Sequence, residues 1–219
     1  MAPRHLARMT PLYRLDAHAA AIAAQFGAGA GADPWAGGHI APGQFAPVIT
    51  AGREAIAGPG SARQPRRMVP RLWGVPPPPS AAADGRRGVL SVSNPDSPFW
   101  VGNLRNSEFR CLVPATSFMV WGKGVDRQGR RLQHWFAPAD QPLFAFAGVW
   151  KDSEVPSFAL LTVPANAALR AIGQAAMPAI LPPHPGAQEL WLRARWERAA
   201  PVLAPYSSSL LSELEPPAG

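Results

Sequence analysis

Short apolar segments, interrupted by glycine- and proline-rich stretches, run along most of the chain and predict a series of β-strands. An apolar run at residues 43–50 ends at a turn, and a second run at 71–75 is stopped by four prolines at 76–79, which cannot donate to a strand ladder. The polar, glycine-punctuated stretch 123–131 predicts a hairpin loop. Further strand-like segments occupy 110–114, 116–121, 132–136, 143–150, 157–162 and 179–181.

Helical patterns are fewer and shorter than the strand patterns. Residues 16–26 predict a helix with Asp16 as its cap, residues 166–172 predict a second helix, and residues 188–198 predict an amphipathic third. The last stretch, 207–219, has no clear period and predicts a weakly structured tail. Many short strands with few helices indicate an α+β fold built around an antiparallel sheet or barrel.

The composition is that of one globular domain. The chain has 219 residues, of which 47% are hydrophobic, enough for a full core. It has no run of eighteen apolar residues, so we expect no membrane span. Arg4 and Arg8 precede an alanine-rich stretch that resembles a targeting peptide, but Asp16 and His18 interrupt it, which favours a helix inside the domain. The single cysteine, Cys111, excludes an internal disulfide, fits a cytoplasmic location and is expected to be a buried strand residue.

The net charge of +7 has two interpretations. A basic surface attracts phosphates, which favours a nucleic-acid partner. However, all basic residues except Lys123 and Lys151 are arginines, and alanine, proline and glycine are abundant, as expected of a GC-rich genome. The histidines lack metal-ligand spacing and no glycine-rich phosphate loop precedes a helix, so we expect no metal and no cofactor.

A set of segments follows one another in the order found in a known family. They are Met-Thr-Pro-Leu-Tyr-Arg-Leu at 9–15, Pro-Gly at 42–43 with Ala-Pro-Val-Ile at 46–49, Leu-Trp-Gly-Val-Pro at 72–76, Asn94 with Ser-Pro at 97–98 and Trp100, Arg-Cys-Leu-Val-Pro at 110–114 with Ser-Phe at 117–118 and Trp121, Phe-Ala-Gly-Val-Trp at 146–150 with Leu-Thr at 161–162, and Met-Pro-Ala-Ile-Leu at 177–181. From about Met9 to Leu192, the chain resembles the SOS-response-associated peptidase (SRAP) family. The resemblance implies an α+β fold, with an antiparallel β-sheet or barrel core and a few peripheral helices. It also divides the chain into an extension at 1–8, one domain at 9–200 and a tail at 201–219.

The resemblance further implies a chemistry on abasic sites in single-stranded DNA. In the family, the α-amine of an N-terminal cysteine condenses with the aldehyde of an abasic deoxyribose, and the thiolate closes a thiazolidine ring. A glutamate and a histidine transfer protons during this reaction, as general acid–base groups do. An asparagine holds the sugar, and an arginine two residues later grips phosphate.

In this chain each of those positions is substituted. Thr10 stands at the cysteine position, behind additional residues, and Ser91 and Ser93 stand at the asparagine and the arginine. Val120 replaces the glutamate and Gly173 replaces the histidine, each within matching neighbours. The resemblance therefore implies a catalytically defective homologue. If the matching is right, Thr10, Ser91, Val120 and Gly173 should meet in space.

The expected partner is single-stranded DNA, including abasic DNA, bound by a monomer. The resemblance assigns DNA contacts to Arg14, Trp73, Asn94, Arg110 and Trp121, with bases stacking on the two tryptophans. Ordinary packing is an equal alternative for Trp73 and Trp121.

Two other functions stay open at the level of sequence. Translation from Met9 would expose Thr10 as an N-terminal residue, whose amine and hydroxyl could form an imine and an oxazolidine with an abasic aldehyde. The chain would then be an active enzyme with an altered nucleophile. The third possibility is a protein-interaction scaffold without a DNA role.

Overall fold

The computed structural model describes residues 12–31, 33–52, 65–78 and 88–216. The helices within these residues are α1 (Ala19–Phe26), α2 (Val101–Arg105), α3 (Ala167–Ala171), α4 (Pro185–Arg193) and α5 (Trp196–Ala199). The strands are β1 (Leu12–Leu15), β2 (Ala28–Gly29), β3 (Gly38–Ile40), β4 (Phe45–Thr50), β5 (Arg66–Trp73), β6 (Ser91–Val92), β7 (Arg110–Ala115), β8 (Ser117–Val125), β9 (Arg131–Pro138), β10 (Phe144–Lys151), β11 (Ser157–Pro164), β12 (Ala176–Pro178) and β13 (Leu211–Leu214).

Five of the strands pair in a closed ring. β4 pairs antiparallel with β5 and β7, and β10 pairs antiparallel with β7 and β11. A parallel pairing of β11 with β5, which joins Ser157 to Leu72 and Phe158 to Trp73, closes the ring. Closure lets apolar strands bury both faces, because one face lines the barrel and the other is covered by helices or by the second sheet. The predicted α+β fold with a sheet or barrel core is confirmed.

A second sheet, ordered β13-β9-β8-β1-β3, packs on the barrel through aromatic side chains. The Tyr13 and Phe118 rings each lie against Phe146 of the barrel, with centroid distances of 5.9 and 5.7 Å. All three residues belong to one continuous hydrophobic core. Within the described part of the chain, no helix is long and apolar enough to cross a membrane.

The helix ends differ from the prediction in two places. α1 begins at Ala19, and its cap is His18, whose Nδ1 accepts the Ala21 N–H at 3.1 Å. The prediction of Asp16 as the cap is wrong, because its carboxylate accepts a hydrogen bond from the Arg14 guanidinium at 2.9 Å instead. The predicted helix at 188–198 is two helices, α4 and α5.

The C-terminal stretch is more ordered than its sequence pattern predicts. β13 pairs antiparallel with β9, which places Leu211 opposite Pro138 and Leu214 opposite Trp135. Tyr206 is buried, and its hydroxyl accepts a hydrogen bond from the Gln141 amide. The predicted weakly structured tail is therefore wrong as far as residue 214, because strand pairing with a distant segment leaves little signal in the local sequence. The predicted extension at 1–8 lies outside the described residues.

Candidate functional site

A cavity of about 160 Å³ lies where the second sheet meets the barrel. The second sheet contributes Leu12 and Tyr13 from β1 and residues 118–120 from β8. The barrel side contributes residues of β5, β10 and β11, and the segments around β6 and β12 complete the wall. The lining is mainly apolar, because most of its members belong to core-forming strands.

Two of the four positions singled out from the sequence line the cavity, and a third is next to a lining residue. Ser91 and Val120 both line it, although 29 positions separate them along the chain. Gly173 directly precedes Gln174, which also lines the cavity. Thr10 lies outside the described residues, two positions ahead of the lining residue Leu12.

The space next to Gly173 is occupied by another side chain. The Gly173 backbone has a φ of +92°, and a Cβ added to this residue would lie 2.5 Å from Cγ and 2.6 Å from Cδ of Lys123. The Lys123 backbone N–H donates to the Ile172 carbonyl at 3.1 Å, which holds the two segments together. A side chain at residue 173 is thus disfavoured both by backbone strain and by the lysine stem.

The polar groups of the cavity wall are few and neutral. Thr162 Oγ1 donates to the Val92 carbonyl at 3.1 Å, and Gln174 Nε2 donates to the Trp121 carbonyl at 2.6 Å. The Tyr13 hydroxyl is buried without a hydrogen-bond partner among the described residues. Burial, reinforced by the nearby Cys111, raises the pKa of Tyr13 well above 10.0, so the phenol stays neutral.

The described residues that line the cavity include no carboxylate, imidazole, amine or thiol. His134 is the cross-strand neighbour of Val120, but it is not part of the wall, and its Nδ1 pairs with Glu213 Oε1 at 2.6 Å. Cys111 is fully buried in β7. Among the described residues there is also no group of three metal-ligating side chains. The wall therefore offers surface and shape but no group that exchanges protons near neutral pH.

Three of the five predicted DNA contacts are accessible to solvent. Asn94 is exposed, and its Oδ1 accepts the Asp96 N–H at 3.1 Å. Arg14 is partly exposed but paired with Asp16. Trp121 is half-buried, and the Arg131 guanidinium lies 5.9 Å from its ring centroid.

The other two predicted contacts are core residues. Trp73 is 1% exposed; its Nε1 donates to the Leu90 carbonyl at 3.2 Å, and its ring packs edge-on against Tyr13. Arg110 is fully buried, donates to the Ala194 carbonyl and lies 5.5 Å from the Trp191 ring. Desolvation lowers the pKa of Arg110 to about 10. Barrel closure and α4 bury both side chains, so neither the Trp73 ring nor the Arg110 guanidinium is exposed to solvent for the predicted DNA contacts.

The end of β8, the turn that follows it and the first residue of β9 form a basic surface. The sequence predicted only a polar hairpin loop here. We call residues 122–131 the basic hairpin. It carries four cationic side chains, all exposed, and one acidic side chain, Asp126, whose Oδ2 accepts from Arg130 Nε at 2.9 Å. The cations are Lys123, Arg127, Arg130 and Arg131. In the sequence, this surface is indicated by four cations within nine residues. In the structure, the surface directly follows the cavity-lining part of β8.

The fold is similar to those of several solved structures. A Bacteroides thetaiotaomicron protein is 19% identical with a TM-score of 0.69, and the match covers 92% of this chain and 90% of that one. A Bordetella bronchiseptica protein is 20% identical with a TM-score of 0.68, covering 94% and 98% of the two chains. A protein described as phage-related, also from Bordetella bronchiseptica, is 16% identical with a TM-score of 0.63, covering 93% and 92%. These likenesses establish the shared fold.

No curated protein is significantly similar to this chain. The family comparison, in contrast, spans nearly the whole sequence, since the model of the SOS response associated peptidase (SRAP) family matches residues 9–215. That range contains both sheets, the cavity and the basic hairpin. The chain therefore belongs to the SOS response associated peptidase (SRAP) family.

Proposed function

We propose that this chain is a single-stranded-DNA-binding member of the SRAP family that does not form the family's stable covalent crosslink with abasic sites. The observation that carries the proposal is the cavity wall, where Ser91 and Val120 replace the polar and acidic positions implied by the family resemblance. The described lining residues include no group that can donate or accept a proton near neutral pH. General acid–base assistance is worth about a hundred- to ten-thousand-fold in rate, so its loss leaves ring formation near background.

Binding to DNA is supported by the charge around the cavity. The basic hairpin continues from β8, the strand that carries Val120 into the cavity wall. Cations on an exposed hairpin attract phosphates and release counterions when they bind. Trp121, at the base of the hairpin, is partly exposed and offers a ring for an unpaired base. We expect a monomer that works in the cytoplasm, where a buried cysteine outside any disulfide, such as Cys111, is ordinary.

The test compares two oligonucleotides, one intact and one with a single abasic site. Fluorescence anisotropy at low and moderate salt should show binding of both, with affinity falling as salt rises because the contacts are electrostatic. After incubation with the abasic strand, heating and denaturing electrophoresis should show no covalent adduct.

Each measurement has a result that would contradict part of the proposal. A heat-stable adduct from the full-length protein would overturn the loss of crosslinking. Absence of binding to either strand at low salt would instead favour a scaffold without a DNA role. A chain beginning at Met9 is the matched control, because it frees the amine of Thr10; a stable adduct from that chain alone would favour the altered enzyme.

A further inference from the structure

The chain has only two lysines, and the structure places them in different surroundings. The Lys151 ammonium lies 3.8 Å from the Phe99 ring centroid and 5.3 Å from that of Trp100, and desolvation lowers its pKa. Along β10 it is five residues from the cavity-lining Phe146, which corresponds to roughly 17 Å at the rise of a strand. Lys123 is exposed, at the start of the basic hairpin, and no carboxylate of the described residues pairs with it.

Lys123 is held at the edge of the cavity by backbone and side-chain contacts. Its N–H donates to the Ile172 carbonyl, and its stem lies over the face of Gly173 that a side chain would otherwise occupy. One residue further, Gln174 lines the cavity and donates to the Trp121 carbonyl. These contacts tie the part of β8 that bears Lys123 to a segment of the cavity wall, and the lysine amine stands at the end of a flexible four-carbon stem.

We propose that Lys123 is an amine nucleophile of this site, which forms a reversible imine with the aldehyde of an abasic nucleotide held at the cavity. The inference rests on the proposed function, since the aldehyde must be delivered by bound single-stranded DNA. It adds a covalent but unstable step to a protein that lacks the stable crosslink.

The step balances without any further reactant. The neutral Nζ of Lys123 attacks the C1′ aldehyde carbon, and the resulting carbinolamine loses its hydroxyl as water to leave a C=N bond. Water adds back to reverse the reaction, so neither partner is oxidised or reduced. The imine has no neighbouring thiol to close a ring, because the described lining residues carry none.

Reductive trapping tests the proposal. Borohydride added to the protein with abasic single-stranded DNA reduces the imine to a stable secondary amine, which denaturing electrophoresis detects and peptide mass spectrometry locates. We expect an adduct on Lys123 in the wild-type chain. Lys123→Arg should lose it, since a guanidinium keeps the charge but does not condense in this way, and Lys151→Arg should trap as the wild type does.

Two further measurements separate the possible failures. Circular dichroism checks that both variants are folded, and anisotropy with the intact strand measures their binding, so that trapping is compared at equal fractions of bound DNA. Binding without any trapped adduct, undiminished trapping in Lys123→Arg, or an adduct mapped to the N-terminal amine or to Lys151 would each overturn the role of Lys123. Failure of the wild type to bind intact single strands would overturn the proposed function itself.

Discussion

The basic hairpin offers a quantitative test of how this protein binds DNA. The perturbation is the triple substitution Lys123→Gln, Arg127→Gln and Arg131→Gln, which keeps polar side chains but removes three charges from a net charge of +7. Arg130 is left in place because its guanidinium is already paired with Asp126 at 2.9 Å. If each of the three cations neutralises one phosphate, the variant should bind more weakly at low salt and should respond less to added salt.

The size of the effect follows from counterion release. For a single strand, each phosphate contact contributes about −0.7 to the slope of log K against log salt, so three contacts contribute about −2. Between 50 and 200 mM salt, the wild type should then lose roughly fifteen-fold more affinity than the triple variant. Fluorescence anisotropy with a labelled single strand, repeated across that range, measures both slopes.

A matched control removes the same amount of charge elsewhere. Arg105, Arg195 and Arg198 are exposed, and they lie at or beside α2 and α5, on elements other than β8 and β9. Their replacement by Gln should leave the slope unchanged if the hairpin makes the contacts. Equal changes in slope for the two triple variants would refute the assignment, because binding would then depend on total charge alone.

Three further substitutions test single features of the site. Trp121→Ala should weaken single-strand binding by about 1–3 kcal/mol while leaving duplex binding little changed, as anisotropy with the two DNA forms would show; an equal loss on duplex would exclude base stacking. Gly173→Ala should lower the free energy of unfolding in urea by about 1–3 kcal/mol, because φ is +92° and the new Cβ meets Lys123; an unchanged midpoint would contradict that geometry. Tyr13→Phe should match or exceed the wild type in stability at pH 7, since it removes a buried hydroxyl without a partner among the described residues. Because the pKa of Tyr13 is raised in the folded state, its phenol ionises more readily in the unfolded chain. The wild type should therefore keep its stability below pH 10 and lose more stability than Tyr13→Phe as the pH rises further.

The strand pattern alone was sufficient for the fold class. Apolar runs ended by turns and prolines, such as 43–50 and 71–75, coincide with β4 and with the C-terminal end of β5. The reason is local: a strand that buries both faces needs consecutive apolar side chains, and proline stops its hydrogen-bonded ladder. Family membership could also be inferred from the sequence, because it depends on the order and spacing of such segments. The substitutions expected at Val120 and Gly173 rest on the same order and spacing and stay predictions.

Burial of individual polar and aromatic residues was decided by tertiary structure. The family resemblance assigned DNA contacts to Arg110 and Trp73, yet ring closure and the packing of α4 leave them fully or almost fully buried. β13 pairs with β9 across some 75 positions, and no pattern in residues 211–214 records that partner.

The contact between Lys123 and Gly173, next to the cavity, likewise could not be predicted from the sequence. The two residues are fifty positions apart, and each alone is unremarkable in sequence: one is a cation in a polar loop, the other a glycine in a turn. Only the pairing of β8 with the segment before β12 places the lysine stem in the space that the glycine leaves free. Strand patterns arise from neighbours along the chain and can be read there, whereas a cavity wall is made by segments that meet only when the barrel closes.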